Sequence, residues 1–246
     1  MMITPMIHNM LRREDLVRLV DEIASTDPSE AYPAARKLEA GKVDSLLDSP
    51  VALAAVRGRG GAPAPLPLAL LWYVPIRATL RDRGIGNIDL ADFTATLPVA
   101  FLFAKATRRV ARSDATLAAW REEIHSLPAG TVAQGERAAY CGALALWWAG
   151  VFPERVSRRG LGPNMIRAYV DFASGAFDLA ARNLQRAVPR AAEVYAGAAA
   201  RATVLRYALQ DTSRDYLGPD AHSTAGRLDR FLARLPPSGE DELPAA

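Results

Sequence analysis

The chain is poor in the residues that most directly carry chemistry. Of its 246 residues one is a cysteine, Cys141, and three are histidines, His8, His125 and His222. A single cysteine excludes an intramolecular disulfide and a cysteine-based metal cluster. The histidines lie far apart. A di-iron bundle repeats Glu-x-x-His on two helices, and here Glu122 and His125 give that spacing once. The His-Glu-x-x-His of zinc proteases is missing, as are the Gly-x-Ser-x-Gly of serine hydrolases and the dinucleotide and kinase signatures. The expectation is no metal and no cofactor, with each histidine a surface or capping residue.

Lysine is nearly absent too. Lys37, Lys42 and Lys105 are the only lysines among 30 basic residues, and the rest are arginine. With 27 acidic residues the net charge is only +3, too small an excess to point to nucleic acid. Alternating runs of β-branched residues are lacking, and the apolar segments are rich in Leu and Ala, so no strand is expected. No repeat of solenoid length is found. The N-terminal MMITPMIHNMLRRED lacks the basic-then-apolar order of a secretory leader, which sets a cytoplasmic expectation.

What is present is helical periodicity, densest between Arg137 and Gly160. No charge occurs from Ala138 to Pro153. Tyr140, Leu144, Trp147, Trp148 and Val151 recur at three- and four-residue spacing, the period of a helix face, and Ala143, Ala145 and Ala149 fill its other sides. A helix apolar all round is buried, and this one falls short of the ~20 residues that a bilayer span needs. It should stop near Gly150 and Pro153. Cys141 lies midway along it and reads as a small buried hydrophobe.

Other helices follow the same logic. Residues 11–25 place Leu11, Leu16, Leu19, Val20 and Ile23 on one stripe. Pro28 and Pro33 bracket a connection before a short helix over Ala34–Ala40. Asp44 to Val56 reads as one more, broken at Pro50. Leu66–Arg83 should kink at Pro75, and Leu90–Arg112, capped by Asn87 or Asp89, at Pro98. Ser113 would cap the next, with Leu117, Trp120 and Ile124 facing in. After Pro163, a stripe of Ile166, Tyr169, Val170, Ala173, Phe177, Ala180 and Leu184 is expected to face the core. Ala173, Gly175 and Ala176 there are small enough for close helix approach. Arg190–Leu209 and Ser223–Leu235 complete the series. The fold expected is an all-α, single-domain bundle of about nine helices over residues 1–235, with a disordered tail over 236–246.

Three stretches are candidates for function. Gly58–Pro67 holds three glycines and three prolines, a strong loop signal. It lacks the Lys-Ser/Thr pair of a phosphate loop, so an interaction loop is the better reading. Asp171 and Asp178 could act as paired acids, but pairing with Arg167 and Arg182, each four residues away, is favoured. The third stretch carries Arg155, Arg158 and Arg159 directly after the apolar helix. Guanidinium clusters recognise phosphate or carboxylate, and Trp148 or Tyr169 could line an adjoining pocket. The plainer alternative is a solvated, charged turn, excluded from the core because unpaired buried charges are costly.

The segment from Leu146 to Ala181 also resembles a motif of uncharacterised bacterial helical proteins. Its parts here are Gly150-Val151-Phe152-Pro153-Glu154, Arg158-Arg159-Gly160, Tyr169, Ala173 and Ala176-Phe177. It departs from that pattern at Val170, Ala173 and Phe177, where a second aromatic, a Gly and a Tyr are usual. The resemblance implies an all-helical fold and carries no activity. The expected function is a non-enzymatic binding or protein–protein interaction module. The alternative is an enzyme or small-ligand binder that meets an anionic substrate at Arg155, Arg158 and Arg159. The partner is an unidentified protein or a small anion, and the sequence leaves homo-oligomerisation open.

Overall fold

The computed structural model describes residues 3–58, 66–103, 116–158 and 163–217. Among them are twelve α-helices and no strand, and nine of the helices have seven residues or more. We number them in chain order: α1 (Ile7–Met10), α2 (Arg13–Thr26), α3 (Ala31–Glu39), α4 (Val43–Leu47), α5 (Pro50–Arg57), α6 (Leu68–Asp82), α7 (Ile88–Phe103), α8 (Leu117–His125), α9 (Val132–Val151), α10 (Pro153–Arg158), α11 (Pro163–Leu184) and α12 (Pro189–Leu217). A 3-10 turn, Pro28–Glu30, precedes α3. The expected helix over Ser223–Leu235, the tail, and most of the Gly58–Pro67 loop lie outside the described residues.

Helix α9 is the axis. The Thr131 hydroxyl accepts from Gln134 N at its start, and every residue from Cys141 to Val151 is buried. Helix α6 approaches this burial, with Leu70 to Ala78 sealed from solvent. Pro153 does not merely stop α9; it opens α10, a position where its missing N–H costs nothing. The close approaches come from glycines on α9 itself. A Cβ on Gly135 would lie 2.9 Å from Asn183 Cβ, and one on Gly142 would lie 3.0 Å from Phe177 Cε1. One on Gly150 would lie 2.6 Å from Leu209 Cβ. The first two rows run antiparallel along α11, and the third reaches α12. Of the three small residues expected to serve this purpose on α11, Ala176 does, its Cβ lying 3.2 Å from one added at Gly142, and Ala173 is buried, whereas Gly175 faces open space.

Several boundaries follow or differ from the sequence expectation for local reasons. The expected break of Asp44–Val56 at Pro50 is present, and the two sides are separate helices because the Ser49 hydroxyl caps Ala52 N at 3.2 Å and Pro50 starts a new helix. Pro33 lies within the first turn of α3, where proline is tolerated. Asn87 is the cap of α7, accepting from Leu90 N at 2.9 Å. Thr116 caps α8, accepting from Ala119 N at 3.3 Å; Ser113 lies outside the described residues. Both Pro75 and Pro98 sit inside helices that continue through them. In α12 the backbone leaves helical geometry at Arg201.

Candidate functional site

The arginine segment is a short helix with mixed burial. Arg155 is half-buried and its guanidinium carbon stands 4.7 Å from the centroid of the Trp148 ring. The structure therefore brings Arg155 and Trp148 together as a cation–π pair. Trp148 itself is buried among Trp147 and Phe152, with centroids at 5.3 and 5.4 Å. Arg158 is exposed. Val156, between them, is fully buried, so the segment is pinned to the core rather than lying wholly outside it. Tyr169 is buried on α11 and meets Trp120 edge-on at 5.8 Å. Arg159 lies outside the described residues. The Trp147 indole N–H is buried and has no hydrogen-bond acceptor among the described residues.

A second region is more concave. A cleft of about 670 Å³ lies where the N-terminal stretch meets α4, the start of α7 and the start of α12. Its walls are of two kinds. Ile88, Val188, Ala191 and Val194 supply apolar surface, while Asp44, Asp89, Asp92, His8 and Arg190 supply charge or polarity. Asp89 Oδ1 accepts from Arg190 Nη2 at 3.2 Å. Asp92 is buried, and its two oxygens accept from the backbone of Ile7 at 2.7 Å and of His8 at 3.0 Å. Sequence reasoning passed over these residues. The trace they leave is an acid, Asp92, at the head of the charge-free run from Phe93 to Phe103.

Behind Asp44 lies a buried ionic node. Arg77 is 5% exposed. Its Nε and Nη2 donate to the two oxygens of Asp48 at 2.8 and 2.7 Å, a two-pronged pairing that only arginine makes. Its Nη1 donates to Asp44 Oδ1 at 2.7 Å and to the Tyr73 hydroxyl at 3.0 Å. Burial pushes the Tyr73 phenol up to about 12, against the pull of Arg77. The node ties α4 to α6 and fixes one carboxylate of the cleft in place.

The remaining candidates resolve simply. Asp171 pairs with Arg167 at 3.7 Å and Asp178 pairs with Arg182, all on exposed positions of α11. Exposed pairs at this spacing are surface features worth a few tenths of a kcal/mol, about 0.3–0.5. His8 and His125 are exposed; His222 lies outside the described residues. Cys141 is buried, its thiol facing Glu123 Oε2 at 3.8 Å. Burial first, and the Glu123 charge second, push that thiol up to about 12, which leaves it without the thiolate that nucleophilic chemistry needs. Among the described residues no helix is long and apolar enough to cross a membrane. No protein-family model, no curated protein and no solved structure matches the chain.

Proposed function

We propose that the chain is a non-enzymatic binding module and that the cleft beside α7 is its recognition surface. The observation that carries this reading is the division of labour in the cleft walls. Two of the carboxylates are held by the fold, Asp92 by two backbone donors and Asp44 by Arg77, while Asp89 meets the exposed Arg190 at 3.2 Å. Groups committed in this way act as fixed charges, which suits recognition better than proton transfer. Asp44 and Asp89 also stay half-exposed, at 49% and 44% of their side-chain surface, so they can meet a further cation. The apolar wall of Ile88 and Val188 faces the same space. The matching ligand is a protonated amine on an apolar stem, either a small alkylamine or a lysine side chain of a partner. A volume of this size suits such a group, since small-ligand sites span ~300–1,000 Å³.

The test uses the sign of charge. Hexylamine and hexanoate share a stem and differ in charge, and a lysine-bearing peptide supplies the protein source. Hexylamine or the peptide should perturb amide signals of Ile88 and Ala191 in a titration, and Asp89→Asn should weaken that response. Hexanoate acting instead, with the response lost in Arg155→Ala plus Arg158→Ala, would place recognition at the arginine edge. That outcome, or no response to either charge, overturns the cleft reading.

A further inference from the structure

Residues 3–10 are attached to the body in an unusual way. Beside the local turn bonds of α1, such as Asn9 N to Met6 O at 3.1 Å, four of their backbone groups are bound by side chains from two other helices. Tyr195 donates its hydroxyl hydrogen to Ile3 O at 2.6 Å. Thr96 Oγ1 accepts from Met6 N at 3.2 Å, and Asp92 accepts from Ile7 N and His8 N. Only Ile3 and Ile7 of this stretch are buried. Helix α1 has four residues, too few for a helix to be stable alone, because nucleation is costly and propagation needs length. The stretch is thus a strap held by two aliphatic anchors and a polar latch.

The strap is also a wall of the cleft. Thr4, Pro5, His8 and Asn9 face the same cavity as Asp89 and Arg190. That adjacency decides how readily the latch opens. Asp92 both holds the strap and borders the cleft. When the strap lifts, water from the cleft can take over the bonds of Asp92, so the carboxylate is not left without partners. No residue of the glycine-packed α9 lines the cleft, so its amides should need larger openings to exchange.

We infer that the strap is a gate: it opens and closes over the cleft without the rest of the fold unfolding, and the cleft is complete only when the strap is seated. A ligand of the closed cleft then stabilises the seated strap, since binding and closure are linked. The inference rests on the cleft reading for what the gate encloses, but its test needs no ligand. Amide hydrogen exchange of the intact chain reads it directly. The Ile7 and His8 amides should exchange at least about tenfold faster than those of Leu144 and Ala145, as expected for a local opening below global unfolding. Thr96→Val should accelerate the strap amides further and leave the α9 amides unchanged. Asp92→Asn should do the same more strongly, provided its circular dichroism matches wild type. Exchange of Ile7 and His8 at the α9 rate, unmoved by Thr96→Val, would show an integral segment and overturn the gate. Failure of amine binding with fast strap exchange would sink only the cleft reading.

Discussion

Gly150→Ala is the sharpest test of how α9 is packed. The added Cβ would stand 2.6 Å from Leu209 Cβ, 3.0 Å from Leu209 Cδ1 and 3.2 Å from the Arg206 carbonyl oxygen. Non-bonded carbons prefer ~3.5–4.0 Å, so α9 and α12 must part by roughly 1 Å at this crossing. Neither a Cβ nor a main-chain oxygen can swing aside as the end of a long side chain would. In an open helix the same substitution gains ~0.5–1 kcal/mol of propensity. Overpacking costs ~1–3 kcal/mol. The clash should win, for a net loss of about 1–2 kcal/mol. At ~2–4 °C per kcal/mol for a chain of this size, the melting temperature should fall by about 2–8 °C. Gly175→Ala is the matched control, because nothing lies within 4 Å of its added Cβ. It should gain about 0.5–1 kcal/mol. Urea and thermal melts of the two variants give the comparison. A Gly150→Ala chain as stable as wild type would falsify the close-approach argument.

Three further outcomes are expected. Trp147→Ala and Leu144→Ala should each cost about 2–5 kcal/mol in urea melts, as large-to-small changes in a sealed core do; unchanged midpoints would deny α9 its central place. Arg77→Lys should cost about 1–3 kcal/mol, since an ammonium cannot reproduce the fork on Asp48, whereas equal stability would mean the node is idle. The fold holds the Cys141 thiol up from 9.0 to about 12 and the Tyr73 phenol up from 10.0 to about 12. Both folded-state values exceed the unfolded ones, so their contribution is complete below pH 9 and is lost as pH rises toward 12. Urea melts from neutral to alkaline pH should show that decline, and Cys141→Ala should make its early part shallower; identical slopes would refute the assignment.

Much of the fold was legible because burial leaves a period. The stripe Ile166, Tyr169, Val170, Ala173, Phe177, Ala180 and Leu184 was read from spacing; Ile166 is partly buried and the other six are buried. The charge-free run after Arg137 marked α9 for the same reason. Boundaries were less legible because caps are local choices among several polar residues. Asn87 and Asp89 were both suitable for capping α7, and only geometry selects Asn87. Close approach was assigned to Ala173, Gly175 and Ala176 on α11; Ala176 does face Gly142, but Gly175 faces open space, and the part that Gly135, Gly142 and Gly150 play on α9 was not read. A glycine in sequence says that space is permitted, not which neighbour fills it.

The candidate site was harder to read, and the reason is the distance between partners along the chain. The arginine edge announced itself because its three arginines fall within five residues. Arg77 and Asp92 are each buried charges that border a charge-free stretch, Leu68–Ile76 and Phe93–Phe103, which itself carries information. A buried charge must be paired, since an unpaired one costs several kcal/mol, about 3–5. A charge beside such a stretch therefore predicts a partner, but not its place. For Arg77 the partners are Asp44 and Asp48, 33 and 29 residues earlier. For Asp92 they are backbone groups 84 and 85 residues earlier, which no side-chain pattern could reveal. Periodicity finds what is buried together on one helix. The cleft and its strap exist because groups distant in sequence satisfy one another. In this fold, a buried charge beside a charge-free stretch thus points to a partner distant in sequence.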